Sequence, residues 1–404
     1  MRLLAAAAAF LLAVPGLAQV RPQTFSLPNG LRVVLLEDHE RPLVRARLHV
    51  PLDAETAARP GLAALALRVL DRSDAAAIRL GDFEQLLAGA GIELDSSLRA
   101  DGLSWSLLAR SRDQDLALGL LADRVFRSIL DSATLEAERL ASWRETEGLE
   151  ASPRTKLRHG LEPDWTRQAP TLDSLTTLSL EELQAFRART LRPDRAVLIL
   201  HGDLGQEQAK RLVYLSFGTW TVQPPPALPA LPSVPPQPKT PAAQSLRLAA
   251  PGAPLRALAM ALAPEDLEPE AAALLALLLP GDPALFPARL RIEGLDLVAT
   301  LDGEAQGSPD AAEALLRERL QALRQRGFSE ADLGRSRAAW SAGRALAGLH
   351  PETLVDEALA EARGRAVIPA RMEALTLEGL NGALRRWLDP ARLRTGVAGG
   401  GSRP

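Results

Sequence analysis

The sequence predicts an α+β fold of two duplicated domains, each an antiparallel-rich sheet with helices packed on it. Three observations lead there. Strand-like segments come in pairs ahead of long amphipathic helices, the pattern of a layered α+β domain. A proline-rich stretch divides the chain near its middle, with nine prolines in the eighteen residues from Pro224 to Pro241. Residues on either side recur at one spacing. Leu178 and Leu375 each open a Leu-Ser/Thr-Leu-Glu run, 197 positions apart (375 − 178).

In the first half, residues 31–36 and 44–50 read as strands flanking the turn Glu37-Asp38-His39-Glu40-Arg41-Pro42, a hairpin pattern. Residues 61–70 and 82–90 read as helices, the second with Leu and Phe on one face. Residues 92–94 and 103–109 read as strands, and 113–129 and 132–150 as long amphipathic helices, the latter capped at Asp131-Ser132. Residues 196–200 form a buried strand. In the second half, 268–279, 309–326 and 330–349 read as helices. Ser308 is the N-cap of the middle one, and Pro309 takes its first position, where a missing N–H costs nothing. The prolines between the halves bar helix and central strand and favour an extended spacer. The expected organisation is a signal segment over 1–18, a domain over 19–221, a linker over 222–243 and a second domain over 244–404.

Duplication rests on several coincidences. Pro193 and Pro390 follow the matched helices at the same spacing, and Gly202 meets Gly399. Leu135, Arg139 and Pro153 meet Leu333, Arg337 and Pro351 one position further on. Helix capping alone produces Ser/Thr starts followed by Glu, but not a constant offset across so many positions. A period near 200 is too long for a solenoid.

Composition narrows the function. Hydrophobic residues at 47% and charged residues at 24% are ordinary for a globular chain. A net charge of −3 gives no reason to expect nucleic acid or an anionic membrane as partner. With no cysteine, disulfides, thiolate catalysis and thiolate metal sites are excluded. Tyr214 is the sole tyrosine, and there are five histidines. Met1-Arg2, the apolar residues 3–14 and Pro15-Gly16-Leu17-Ala18 have the parts of a secretory signal. The apolar run is shorter than the ~20 residues of a membrane span. Cleavage near Ala18 and a periplasm-like destination are expected, with no membrane span in the mature chain.

A family resemblance emerges along the first half. Leu27-Pro28-Asn29-Gly30-Leu31-Arg32-Val33-Val34, Glu37-Asp38-His39 and Pro42-Leu43-Val44 come first. Gly61-Leu62-Ala63, Phe83 to Gly91, Glu138-Arg139 to Glu145, Pro193-Asp194-Arg195, His201-Gly202-Asp203 and Phe217-Gly218 with Trp220 follow. In that order they resemble the insulinase-like (pitrilysin-type, M16) zinc metallopeptidases over about residues 24–221, with the second half a weaker copy. The resemblance implies duplicated domains of the LuxS/mitochondrial-processing-peptidase-like fold, joined by a linker and closing as a clamshell around a peptide.

The family's chemistry does not carry over. Its zinc motif, histidine-x-x-glutamate-histidine, directly follows the Gly-Leu-Ala run. Here Ala64 and Arg68 stand at the histidine positions and Leu67 at that of the general base. Methyl and isobutyl groups offer no lone pair, and a guanidinium is permanently cationic. Glu145 matches the third ligand, but catalytic zinc takes three protein ligands. Zinc is therefore not expected to bind, and Glu145 reads as an exposed or arginine-paired residue with Arg68 as candidate partner. The family's arginine–tyrosine pair over the scissile carbonyl maps to the segment Arg289 to Leu297. Arg289 and Arg291 remain, but Leu297 stands at the tyrosine position, leaving that clamp incomplete.

Other chemistry is faint. No further histidine pair has ligand spacing, and His39, His49 and His201 read as structural. Gly399-Gly400-Gly401 opens no helix and reads as a tail. Asp53, Glu55 and Arg59 read as a solvated loop cluster, and Asp71/Asp74 as an acid pair too common to signal a glycosidase. The expected function is a catalytically inactive M16 homologue: a partner or regulatory subunit of an active zinc peptidase, or a peptide-binding clamshell. An edge strand at Ile92, Glu93, Leu94 and Asp95 would take extended peptides by strand addition. The alternative is an active periplasmic zinc endopeptidase using ligands that the motifs do not reveal.

Overall fold

In residues 43–51, apolar side chains at 44, 46, 48 and 50 alternate with Arg45, Arg47 and His49, the period-2 pattern of a strand with one face in a core. The computed structural model describes residues 22–52, 59–76, 78–99, 102–150, 152–161, 170–222, 244–248, 256–261, 267–293, 296–302, 308–347, 350–364, 372 and 374–398. Residues 1–18, the span Pro224–Pro241, Asp53, Glu55 and the tail from Gly399 lie outside them.

The first half contains strands β1 (Gln23–Ser26), β2 (Arg32–Glu37), β3 (Leu43–Pro51), β4 (Glu93–Arg99), β5 (Gly102–Arg110) and β6 (Val197–Gly202). Its helices are α1 (Leu62–Arg72), α2 (Leu80–Ala90), α3 (Gln114–Phe126), α4 (Ser132–Glu150), α5 (Pro153–Leu161), α6 (Leu172–Thr177), α7 (Leu180–Thr190) and α8 (Gln206–Phe217). The second half contains β7 (Gln244–Leu248), β8 (Arg256–Ala261), β9 (Arg289–Glu293), β10 (Asp296–Asp302) and β11 (Arg394–Ala398). Its helices are α9 (Pro269–Leu278), α10 (Pro309–Arg326), α11 (Glu330–Ala347), α12 (Pro351–Ala362) and α13 (Leu377–Trp387).

Each half builds one sheet. The orders are β1-β2-β6-β3-β5-β4 and β7-β11-β8-β10-β9. In both, one parallel pair (β2 with β6, β7 with β11) is followed by antiparallel neighbours. Apart from β1, the second sheet repeats the first strand for strand. Side-chain anchors repeat as well. Arg139 of α4 donates to the carbonyls of Leu175 and, at 2.7 Å, Leu178. Arg337 of α11 donates to the equivalent carbonyls of Met372 and Leu375, at 3.2 and 2.5 Å. The duplicated α+β reading is borne out.

Most expected elements are present, with shifts at their ends. The strand read as 92–94 runs through Arg99, and His201 lies inside β6 rather than after it. Ser308 caps α10 by accepting the Ala311 N–H at 3.2 Å, and Asp131 caps α4 by accepting that of Thr134 at 2.9 Å. Ser179 forms a reciprocal capping box with Glu182, whereas Thr376 accepts the N–H of Gly379, which has no side chain to return a bond.

Helices α5 and α12, absent from the elements the sequence predicts, join the halves. One face of each sheet packs against its own helices, giving two separate cores. The opposite faces are covered by exchange. Val355, Ala358 and Leu359 of α12 pack on Val34, Leu36, Val197 and Ile199 of the first sheet. Reciprocally, Leu157 and Leu161 of α5 pack on Leu258, Met260, Val298 and Ala398 of the second. Pro153 and Pro351, matched in the repeat, are the first residues of these two helices.

Ion pairs frame the α12 contact. Arg47 contacts Glu352 at 2.9 Å and also pairs with Asp356, Arg45 meets Glu352 at 3.2 Å, and Arg32 donates to the Ala362 carbonyl. Both carboxylates are more than half exposed, at 59% and 54%, so each pair contributes about 0–1 kcal/mol. A fully buried Val or Leu contributes about 1.5–3 kcal/mol. Apolar contact therefore dominates. Val355→Asp is expected to cost about 2–4 kcal/mol in urea unfolding, against less than about 1 kcal/mol for Glu352→Ala. The reverse order would show that the exchange is held by charge.

Candidate functional site

Helix α1 begins where the backbone allows no alternative to glycine. Gly61, its N-cap, has φ +78°, and a Cβ there would sit 2.8 Å from Pro170 Cα. The helix then presents nearly every apolar residue to the core, including Leu62, Ala63, Leu65, Ala66, Leu67, Val69 and Leu70. Leu67, at the position that the resemblance gives to the general base, is 7% exposed. Ala64 and Arg68, four residues apart on one face, lie on the more open side.

Arg68 bridges to helix α4. Its Nη1 is 2.9 Å from Glu145 and its Nε 3.0 Å from Glu138. The two glutamates are seven residues apart, two helical turns, and so share the face of α4 that meets α1. Burial opposes the charge on Arg68, but the hydrogen bonds it donates to Glu145 and Glu138 prevail and its pKa is raised. The Arg68–Glu145 pair that the sequence suggests is present, and Glu138, which the motif order includes without a role, is a second partner. Zinc does not fit here. Two of the four positions carry hydrocarbon, the third carries a fixed positive charge, and the remaining carboxylate is engaged by that charge. Among the described residues, no group of three or more His, Asp or Glu is placed to hold a metal ion.

One turn beyond Arg68 lies Asp71, which in the sequence alone reads as half of a commonplace acid pair. It is a partly buried anchor. Its carboxylate accepts from Ser96 of β4, and burial raises its pKa. Arg124, 4% exposed, donates to the Leu70 and Ser73 carbonyls at 2.7 and 2.8 Å and stacks over Phe83 at 4.1 Å. It thus satisfies the carbonyls at the C-terminus of α1 with a favourable charge. Asp74 separately accepts the Leu80 N–H at 2.8 Å. Arg59 corrects the solvated-loop reading of its cluster, since it pairs with Glu182 at 2.9 Å.

The strand β4 is the outermost of its sheet, pairing only with β5 among the described residues. Gly91, in the left-handed conformation at φ +63°, ends α2, and the Ile92 N–H bonds the Leu87 carbonyl at 2.8 Å. Ile92 is buried in the turn that enters β4, Leu94 packs partly into the core, and Glu93 and Asp95 are exposed. In the second half, Arg289 is exposed on β9, the corresponding edge of the other sheet. Leu297 opposes Ile292 in the β9–β10 register, with Arg291 opposite Val298.

The Glu37-Asp38-His39 turn closes a corner at the ends of β2 and β6. His39 Nδ1 lies 2.8 Å from Asp203 and its Nε2 3.5 Å from Glu37, which also accepts the Gln206 N–H at 2.9 Å. The hydrogen bond to Asp203 raises the His39 pKa. His201, 2% exposed and 3.7 Å from Asp38, is shifted the other way by burial. His49 is also buried and meets Ser104 at 2.9 Å. Tyr214 is exposed on α8, 59% accessible.

The family model for the peptidase M16 inactive domain matches residues 177–279. Among solved structures, a protease from Helicobacter pylori aligns with a TM-score of 0.81 at 14% identity, covering 94% of this chain and 99% of that one. A peptidase M16 inactive domain from Pseudomonas fluorescens gives 0.76 at 18%, covering 95% and 99%. The periplasmic protease PqqL from Escherichia coli gives 0.70 at 15%, covering 94% of this chain and 45% of its own length. No curated protein matches. The M16 resemblance read from the motifs is borne out, and the fold is that of the M16-like peptidases.

The two histidines of the corner give opposite pH signs. With its pKa raised from 6.5, His39 stabilises the fold below that value and loses the effect as pH rises through its folded pKa. His201, lowered from 6.5, favours the fold above that value and opposes it as pH falls toward its folded pKa. His39→Ala is therefore expected to lower Tm more at about pH 5.5 than at about pH 8.5. Equal losses at both would show that the Asp203 contact is not charge-assisted.

Proposed function

We propose that this chain is a catalytically inactive M16 homologue that serves as partner or regulatory subunit of an active zinc peptidase. The observation that carries the proposal is the Arg68 guanidinium on Glu145, a fixed cation paired with the single carboxylate that survives from the family's ligand set. A site without a bound, ionised water or a base beside it has no nucleophile for a peptide bond. What the chain retains is the scaffold: two sheets, each with an outermost strand, β4 with β5 and β9 with β10. The partner in this reading is a peptidase with an intact histidine-x-x-glutamate-histidine helix, and β4 offers its backbone to an extended peptide held between the two. The domain boundaries 19–221 and 244–404, the linker between them and a periplasmic address by way of the N-terminal signal belong to the same reading. No helix among the described residues is long and apolar enough to cross a membrane.

Pull-down of the tagged mature chain from its native host, followed by zinc and peptidase assays, tests this. The chain alone is expected to hold no stoichiometric zinc and cleave nothing, while the retained partner carries both properties. One zinc per chain with proteolysis by the isolated chain would establish the active-endopeptidase reading instead. An inert chain that returns alone would leave peptide binding without a catalytic partner.

A further inference from the structure

The position that the family gives to a metal is not simply empty of ligands. We infer that the Arg68 guanidinium has taken over the metal's structural role, cross-linking α1 to α4 and thereby setting the edge strand β4. This rests on the zinc site being lost, and it assigns the residue that replaces it.

Three geometric facts converge. First, Arg68 spans two acceptors on α4, Glu138 at 3.0 Å and Glu145 at 2.9 Å. A planar guanidinium has donors in a fixed fork and can serve two carboxylates at once, which an ammonium on a flexible stem does poorly. Second, the pair is partly shielded, since Glu138 is 15% exposed and Arg68 35%. Without the arginine, two carboxylates facing α1 would lack their shared counter-charge, and the half-buried Glu138 would be the costlier to leave so. Third, α1 reaches β4 one turn further on, through Asp71 and Ser96. The helix that Arg68 ties down is the one that supports the edge strand. Arg124 fixes the C-terminal end of α1 from α3, and Arg68 fixes its middle from α4.

A metal on this helix would cross-link α1 to α4 through ligands on both. The guanidinium makes the same cross-link with no requirement for a metal supply, and it is insensitive to chelators. Arg68 acts on β4 through α1, so it is a positioning residue.

Arg68→Ala is expected to lower Tm by about 2–4 °C and to speed amide exchange in residues 93–99 more than in β3, while EDTA leaves the unmodified protein unchanged. Arg68→Lys should recover only part of both effects, because one ammonium cannot fork across two carboxylates. The decisive variant is Ala64→His/Leu67→Glu/Arg68→His. With Glu145 it should take one zinc per chain by calorimetry, regain the unmodified Tm in zinc and become sensitive to EDTA. If the folded triple variant takes no zinc, or exchange in 93–99 is unmoved by Arg68→Ala, the inference falls. The inactive-partner reading would survive that result, since it fails only if the unmodified chain itself binds zinc and cleaves peptides.

Discussion

The exchange of α5 and α12 is the constraint on which the architecture depends. A sheet has two faces, and each half covers one with its own helices. The second faces are too apolar for water: Val34, Leu36, Val197 and Ile199 on one sheet, Leu258, Met260 and Val298 on the other. Each half lends the other the helix that covers this surface. The ion pairs around α12 orient it, but their exposed carboxylates give them little weight beside the apolar contact. The two halves are thereby held by contacts that do not depend on residues 224–241.

Within that frame the degenerate site follows from substitutions on one helical turn. Glycine at 61 admits the sharp entry into α1, and the apolar residues that follow seat the helix in the core whether or not donors are present. Stability and chemistry are therefore separable here. Ala64 and Leu67 remove lone pairs from a helix already anchored by Leu62, Leu65, Val69 and Leu70. Arg68 fills the electrostatic gap that remains, and Asp71 and Arg124 hold the neighbouring turn from below.

Much of this was legible in the sequence, for identifiable reasons. The Ser308 and Asp131 caps, the α4 span and the constant offset between halves are local or periodic signals, and they survive translation into structure. The lost zinc donors are legible because a methyl group carries no lone pair in any fold. The exchanged helices are harder. Residues 153–161 show only Leu157 and Leu161 as large apolar groups among charged neighbours, too sparse a stripe to call for burial, and nothing local says which sheet receives them. The partial burial of Asp71 is likewise a property of β4 lying over it, and Glu138 becomes a partner only once α4 is set against α1. Both depend on contacts between residues distant in sequence.

The reciprocal exchange also makes synthesis asymmetric. Leu161 leaves the ribosome 83 residues (244 − 161), and Leu157 87 residues (244 − 157), before β7, the first strand of the sheet that will shelter them, begins. Until the second half follows, the nascent first half carries an amphipathic helix without a dock and, once β6 is made, an apolar sheet face without a cover, the kind of exposed surface that chaperones engage. Helix α12, by contrast, emerges to find its receiving sheet already assembled. The N-terminal copy must wait for its twin, so a premature stop near the proline-rich stretch would release a half-molecule with two adhesive surfaces.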